Sequence, residues 1–232
     1  MSELLQLLKK NVRKLFNQII TPLASGRWTG GEVSFLRCFF PKALWRMDRQ
    51  EHAVYLTFDD GPIPQSTPFI LETLKAFGAK GTFFVVGENA ERYPDLTRAI
   101  LADGHRLGNH THNHLKPFAC SAQDYLANVG QADLKQPQTS QPPLFRPPHG
   151  WMSPAVYRAL RKTHKIVMWD VLTRDYSRYV TADDVVNTVK RYTRNGSIIT
   201  FHDSLKSIEK LRTALPAALQ WLKEEGYEFR LL

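Results

Sequence analysis

The sequence predicts an α/β fold on parallel strands, as an open sheet or a barrel. Two observations predict it: from Ala53 onward apolar runs of strand length alternate with helical patterns, and Gly, Pro or capping residues punctuate the joins. At 232 residues and 43% hydrophobic content, the chain can bury one sizeable core and suits a single domain of the size of a catalytic one.

Taken in order, residues 4–20 place Leu4, Leu8, Val12, Leu15 and Ile19 at helical spacing, with Lys9, Lys10, Arg13 and Lys14 on polar positions. This basic amphipathic helix reads first as a helix packed on its own domain, and second as a peripheral contact with an anionic membrane surface. Ser25–Gly31 reads as a hinge and Phe35–Trp45 as a buried aromatic run. Residues 1–50 are therefore expected as an N-terminal extension and 51–232 as the main domain. Strands are expected at 53–58, 81–86, 105–108, 144–146, 165–171, 197–202 and 227–231, where β-branched and aromatic residues concentrate. Helices are expected over Pro68–Phe77 before Gly78, over Pro94–Ala102 before Gly104, and from near Ser121. Ser153 and Pro154 form an N-cap and first turn, Thr181 and Asp184 a capping box, and Gly196 and Gly226 stand where helices stop. Gln136–Pro143 is a surface loop, and no internal repeat is present.

Lys and Arg exceed Asp and Glu by 31 to 22, a net +9, which favours polyanions, anionic membranes or acidic glycans. The basic residues are scattered, with no RNA-binding signature or zinc-finger spacing, so no nucleic acid partner is expected. Cys38 and Cys120 lie far apart and form no C-x-x-C pair, so neither a disulfide framework nor a Cys-based zinc site is indicated; both are expected as buried, reduced thiols. No apolar run is long enough to span a bilayer and no signal-peptide pattern opens the chain, so a cytoplasmic location is the default expectation.

The chemistry concentrates at strand ends. Thr57-Phe58-Asp59-Asp60-Gly61-Pro62 delivers two adjacent carboxylates, which repel each other and resist desolvation unless a cation or proton separates their roles. Alone, the stretch would be an ordinary Asp-Asp-Gly-Pro turn. His110 and His114 are four apart, and on one helical face their Cβ atoms would lie about 5–6 Å apart, close enough to share a metal; His112 points elsewhere. A catalytic zinc commonly takes three protein ligands, so one of the two acids completes the set and the other serves as general base. Phe201-His202-Asp203 and Arg146-Pro147-Pro148-His149-Gly150 also follow predicted strands. In a barrel these ends converge, placing His202 as a general acid, although each stretch alone reads as a capped turn or a rigid loop.

The ordered set T-F-D-D-G-P, H-T-x-x-H, R-P-P-x-G, W-D-x-x-x-x-D and x-F-H-D, spread from about Val54 to the C-terminus, resembles the five motifs of the polysaccharide deacetylase family, the NodB-like carbohydrate esterases. The resemblance implies a deformed (β/α)7 barrel, here with an N-terminal amphipathic helical extension. It further implies one divalent metal ion, usually zinc, and removal of acetyl groups from an N-acetylated or O-acetylated glycan or oligosaccharide, with metal-bound water attacking the acetyl carbonyl. On the matching positions, Asp59 is the general base; Asp60, His110 and His114 hold the metal; a backbone N–H at His149 stabilises the oxyanion; and His202 protonates the leaving group. Arg146 orients the base by an ion pair, and Trp169, Asp175 and Phe201 stand near the pocket wall.

Departures from the pattern bear on substrate preference. His149 replaces a usual Tyr, Leu115 a common Pro, and Thr200 a Leu that commonly lines the acetyl pocket. Leu172 stands where many members carry an Asp paired with the motif Arg, which points Arg146 towards Asp175 instead. The intact acids and histidines speak against a catalytically silent sugar- or metal-binding relative at a membrane surface. Two His and one carboxylate also suit non-haem iron oxygenases, but the spare Asp59 and the His202 cluster favour hydrolysis.

Overall fold

The computed structural model describes residues 37–117, 119–133 and 142–232. The helix expected at 4–20, the hinge expected at 25–31 and most of the loop expected at 136–143 lie outside the described residues.

Among the described residues, eight parallel strands carry the domain: β1 (Ala53–Asp59), β2 (Gly81–Val85), β3 (Arg106–Asn109), β4 (Leu144–Phe145), β5 (Lys165–Ile166), β6 (Val171–Leu172), β7 (Ile198–His202) and β8 (Glu228–Phe229). Their order is β5-β4-β3-β2-β1-β7-β6, with β8 added beside the start of β1. The strand expected at 165–171 is two short strands, because its two halves pair with different partners: β5 with β4, and β6 with β7. The intervening backbone follows both, Val167 N donating to Phe145 O at 2.8 Å and Asp170 N to Ile198 O at 2.9 Å. One segment thus crosses between the two ends of the sheet and curls it into the deformed barrel.

Side-chain alternation along each strand sets what faces the lumen and what faces the helices. Ala53, Tyr55, Phe84, Leu144, Val167 and Ile198 fill the barrel interior. Val54, Leu56, Phe58, Phe83, Val85, Ile199 and Phe201 point outward, beneath the surrounding helices. The helices covering this face include α1 (Thr67–Ala76), α2 (Gly87–Arg92), α3 (Pro94–Ala102), α6 (Ala182–Tyr192) and α7 (Ile208–Glu224). Helix α7 buries Ile208, Leu211, Leu215, Leu219 and Leu222 at helical spacing. The capping box expected at Thr181 and Asp184 is formed at the start of α6.

A second cluster joins α4 (Ala122–Asp133) and α5 (Pro154–Leu160) to Phe40, Trp45 and Trp169. Residues 40–47, read from sequence as part of the extension, are built into this body: Leu44 pairs with Val167 and Arg46 with Ser197. Phe39, by contrast, is 44% exposed. Both cysteines are free thiols as expected, but neither is buried: Cys38 is exposed and Cys120 half-buried, because they lie in surface segments ahead of β1 and between β3 and α4. Among the described residues no helix is long and apolar enough to cross a membrane.

Candidate active site

The strand C-termini converge, and pairing fixes which side chains meet. Asp59 is in register with His202, and Phe58 with Phe201. Because neighbours on a strand face opposite ways, Asp59 and His202 look into the barrel while Phe58 and Phe201 stack outside it, centroids 5.8 Å apart. Phe201 therefore supports the core and is not part of the pocket wall where the sequence placed it.

After Asp59 the chain leaves the sheet abruptly. Asp60 has φ 81°, a left-handed conformation that Asp tolerates better than most residues. Asp203 N donates to Asp59 O at 2.7 Å, and the Asp203 carboxyl accepts from Ser66 Oγ and, at 2.6 Å, from Thr67 Oγ1. Burial pushes that carboxyl up to about 7, against the pull of the two hydroxyls. A Cβ on Gly61 would overlap the Asp203 side chain. Gly61→Ala is accordingly expected to destabilise the fold by about 1–3 kcal/mol, read as an earlier midpoint in urea; an unchanged midpoint would show that the contact yields freely.

His110 and His114 do meet, but not on a helix. Residues 110–117 are irregular, with Thr111 at φ 65° and His114 at φ 53°. Side chains hold the loop: Asn109 Oδ1 accepts from Thr111 N at 2.7 Å, and Thr111 Oγ1 from Leu115 N at 3.1 Å. The two imidazole centroids end 5.2 Å apart. His110 Nδ1 faces the Arg146 carbonyl at 2.8 Å; the ring donates there, which leaves the Nε2 lone pair aimed at the site. Burial pushes His110 down to about 4 despite the opposing charge of Asp59, so it is neutral near pH 7, the form that binds a metal. His112 is turned away, packed against Gly87 with its backbone N–H on Asn128 Oδ1.

Asp60 Oδ1 lies 3.6 Å from His110 Nε2 and 3.3 Å from His114 Nε2. It is buried and hydrogen-bonded to neither. Burial raises the Asp60 carboxyl, but His114, His202 and His110 outweigh it and hold it below the usual carboxylate range. Ligand atoms of Asp60, His110 and His114 all lie within 4.8 Å of one another. An orphaned carboxylate oxygen facing two imidazole nitrogens fits a divalent cation.

Arg146 is fully buried. Its Nη1 donates to Asp59 Oδ1 at 2.6 Å and Thr57 Oγ1 at 2.8 Å, its Nη2 to Met168 O at 2.7 Å, and its face lies 4.1 Å from the Phe84 centroid. The ion pair with the base is thus as expected, and Leu172 leaves no gap, since backbone carbonyls and a hydroxyl take the remaining donors. Thr200 Oγ1 lies 3.0 Å from Thr57 Oγ1, and Thr200 is fully buried in this network.

Asp175 is not the partner of Arg146 but of His202. It is fully buried, with Oδ1 at 2.7 Å from His202 Nδ1 and Oδ2 accepting from His202 N at 2.8 Å. His202 is pulled down by burial, but Asp175 outweighs this and, with Asp60 and Asp59, raises the imidazole to about 9. Trp169 is also buried, and its ring sits where a Cβ on Gly150 would fall, so it braces the 148–150 turn. His149, at φ 59°, puts its exposed ring edge-on to His114, centroids 4.7 Å apart.

Two neighbours were missed from sequence. Thr57 shares a strand face with Asp59, two positions away, and that spacing could have flagged it. Tyr176 meets the His202 ring edge-on at 4.6 Å; its place directly after Asp175 was the only signal.

Comparison with known proteins agrees with this chemistry. The family profile described as polysaccharide deacetylase matches residues 46–167. A peptidoglycan-N-acetylglucosamine deacetylase of Bacillus cereus is 33% identical over 191 residues, covering 80% of this chain and 88% of the relative. A chitooligosaccharide deacetylase of Sinorhizobium fredii is 36% identical over 195 residues, 78% and 90% of the two chains. Among solved structures, a peptidoglycan N-acetylglucosamine deacetylase in complex with 4-naphthalen-1-yl-N-oxidanyl-benzamide superposes with a TM-score of 0.75 at 30% identity, covering 82% of this chain and 91% of that one. With a metal triad of matching chemistry at the strand ends and likeness across most of its length, this chain belongs to the polysaccharide deacetylase family.

Proposed function

We propose that the chain deacetylates N-acetylglucosamine residues in a peptidoglycan or chitooligosaccharide, with zinc as its cation. The observation that carries this reading is the separation of the two acids. Asp60 points at the two histidines, whereas Asp59 is held off them by Arg146. The names of the similar enzymes support the substrate class, and a His-His-Asp donor set suits zinc.

Asp60, His110 and His114 would hold the cation, which when bound supplies Lewis-acid chemistry, polarising the acetyl carbonyl and making water a stronger nucleophile near neutral pH. Arg146 occupies Asp59 Oδ1, so Asp59 Oδ2 takes the proton from the attacking water. The backbone N–H of His149 is assigned to the oxyanion of the tetrahedral adduct. Asp175 engages His202 Nδ1, which leaves Nε2–H to protonate the departing amine as the C–N bond breaks.

His202 must be protonated to do this, and its raised pKa keeps it so up to about 9. Asp175→Asn removes the charge that favours the imidazolium, so the pKa falls and the alkaline limb of the kcat profile moves to lower pH. Turnover below that limb should survive better than turnover above it. A limb that stays in place would remove His202 from the acid role.

The function itself is tested by acetate release from a panel of N- and O-acetylated glycans, with elemental analysis of the same sample. Acetate from the N-acetylated members and one zinc per chain are expected. Glycan binding without acetate from any member would establish a silent binding protein instead.

A further inference from the structure

Positive charge gathers at the start of β5, the opposite strand end from the metal triad. A cleft of about 350 Å³ opens there, lined by Lys42, Arg161 and Lys165, with Ala43, Leu44 and Ile166 as its apolar walls. The three cations come from three segments, each on fixed backbone. Lys42 N donates to Tyr157 Oη at 2.9 Å, and Leu44 N to Ile166 O at 2.8 Å, which lays residues 42–44 along β5. Arg161 N donates to Tyr157 O at 3.1 Å at the end of α5, and Lys165 N to Pro143 O at 2.9 Å.

Among the described residues none of these three side chains has an ion-pair partner. The carboxylate beside the cleft is already engaged: Asp133 Oδ2 lies 3.0 Å from His164 Nε2, and Asp133 Oδ1 accepts from Asn109 Nδ2 at 2.7 Å. The carbonyls that end α5 would repel an anion if left bare. They too are occupied, Ala159 O by Lys162 N at 3.1 Å and Leu160 O by His164 N at 2.7 Å.

Single exposed lysines and arginines need no account. Three of them around one concavity repel one another and gain from a shared counter-ion. A terminal phosphate carries a charge of about −1.5 to −2 at pH 7 on three acceptor oxygens, which matches one guanidinium fork and two ammonium groups. A carboxylate offers one charge and two oxygens. We propose that this cleft is a second binding site, for a phosphate group. It stands apart from the acetyl chemistry and does not depend on it.

The test uses a Lys42→Gln, Arg161→Gln, Lys165→Gln triple variant. Its control is Lys75→Gln, Lys190→Gln, Lys223→Gln, which removes the same charge from exposed positions on α1, α6 and α7. Both sets are exposed, so the fold stays as it is. Two probes are applied: inorganic phosphate by calorimetry, and phosphatidic acid vesicles by co-sedimentation, with phosphatidylcholine vesicles as the blank. The cleft variant should bind on the order of tenfold more weakly than wild type, because exposed charge pairs are each worth up to a few-fold and three are removed. The control should bind as wild type does. Loss with both probes assigns the site to the phosphate group itself, and loss confined to the vesicles assigns it to a lipid headgroup. Phosphate held at the metal triad is common to all three proteins, so the difference between them reads the cleft. Equal losses in the two triple variants would leave only bulk positive charge and overturn the site. Wild-type protein that binds neither probe, a cleft variant that binds both as wild type does, or acetate ion bound as tightly as phosphate would also overturn it. None of these measurements involves turnover, so their failure would leave the deacetylase reading standing.

Discussion

Asp60→Ala is expected to remove bound metal and acetate release together. Asp60 supplies the only carboxylate of the triad, and its Oδ1 sits 3.3–3.6 Å from both imidazole nitrogens with no hydrogen bond of its own. Two histidines alone make an incomplete site for a catalytic cation. Loss of even an outer partner of a metal ligand typically costs roughly 10–100-fold in affinity, and losing a ligand itself should exceed that. The truncation is half-exposed and leaves the core untouched, so the metal-free fold should survive it. Wild-type protein should melt earlier when a chelator is added, because a cation that binds only the folded state at 100 times its Kd stabilises by about 2.7 kcal/mol. The variant should not respond. Stoichiometric metal in dialysed Asp60→Ala protein would refute the ligand assignment.

Asp59→Asn should do the reverse, keeping the metal while slowing turnover by on the order of 10² to 10⁴. The amide preserves an oxygen for Arg146 Nη1, now at 2.6 Å from Asp59 Oδ1, so the position of the side chain is retained. What disappears is the negative charge that accepts a proton. Arg146 then remains buried without a counter-charge, a situation that costs up to about 3–5 kcal/mol when a buried pair is broken outright. The Met168 carbonyl and the Thr57 hydroxyl still hold the guanidinium and moderate that loss. Elemental analysis and acetate release on one preparation separate the roles of the two acids. Wild-type turnover would take Asp59 out of the base role, and loss of metal would mean that the two carboxylates share it.

The acids and histidines of the candidate site were legible because costly residue types gather at and after predicted strand ends: Asp59 and His202 end β1 and β7, Asp60 follows β1, and His110 and His114 lie in the loop after β3. Asp59, Asp60, His110, His114 and His202 were all found this way, and the structure brings them together. What misled was spacing read without backbone. A pair of histidines four apart fits a helical face and equally a loop, and here the left-handed turns at Thr111 and His114, held by Asn109, decide for the loop. Phe201 was placed on the pocket although its neighbour His202 already faces inward; strand alternation forbids both. The run 165–171 read as one strand because local propensity is blind to which neighbours its two halves will meet.

By itself the sequence determined the alternation of strands and helices, the order of the motifs and the side chains able to bind a cation or move a proton. These follow from local chemistry: apolar periodicity, caps and breakers, and adjacent acids that need a reason to coexist. Only the tertiary structure gave His202 to Asp175 and Thr200 to Thr57, while the pairing of Arg146 with Asp59 was already implied by the family resemblance. Those contacts join residues from 27 to 143 positions apart, and strand register together with curling of the sheet sets which of them meet.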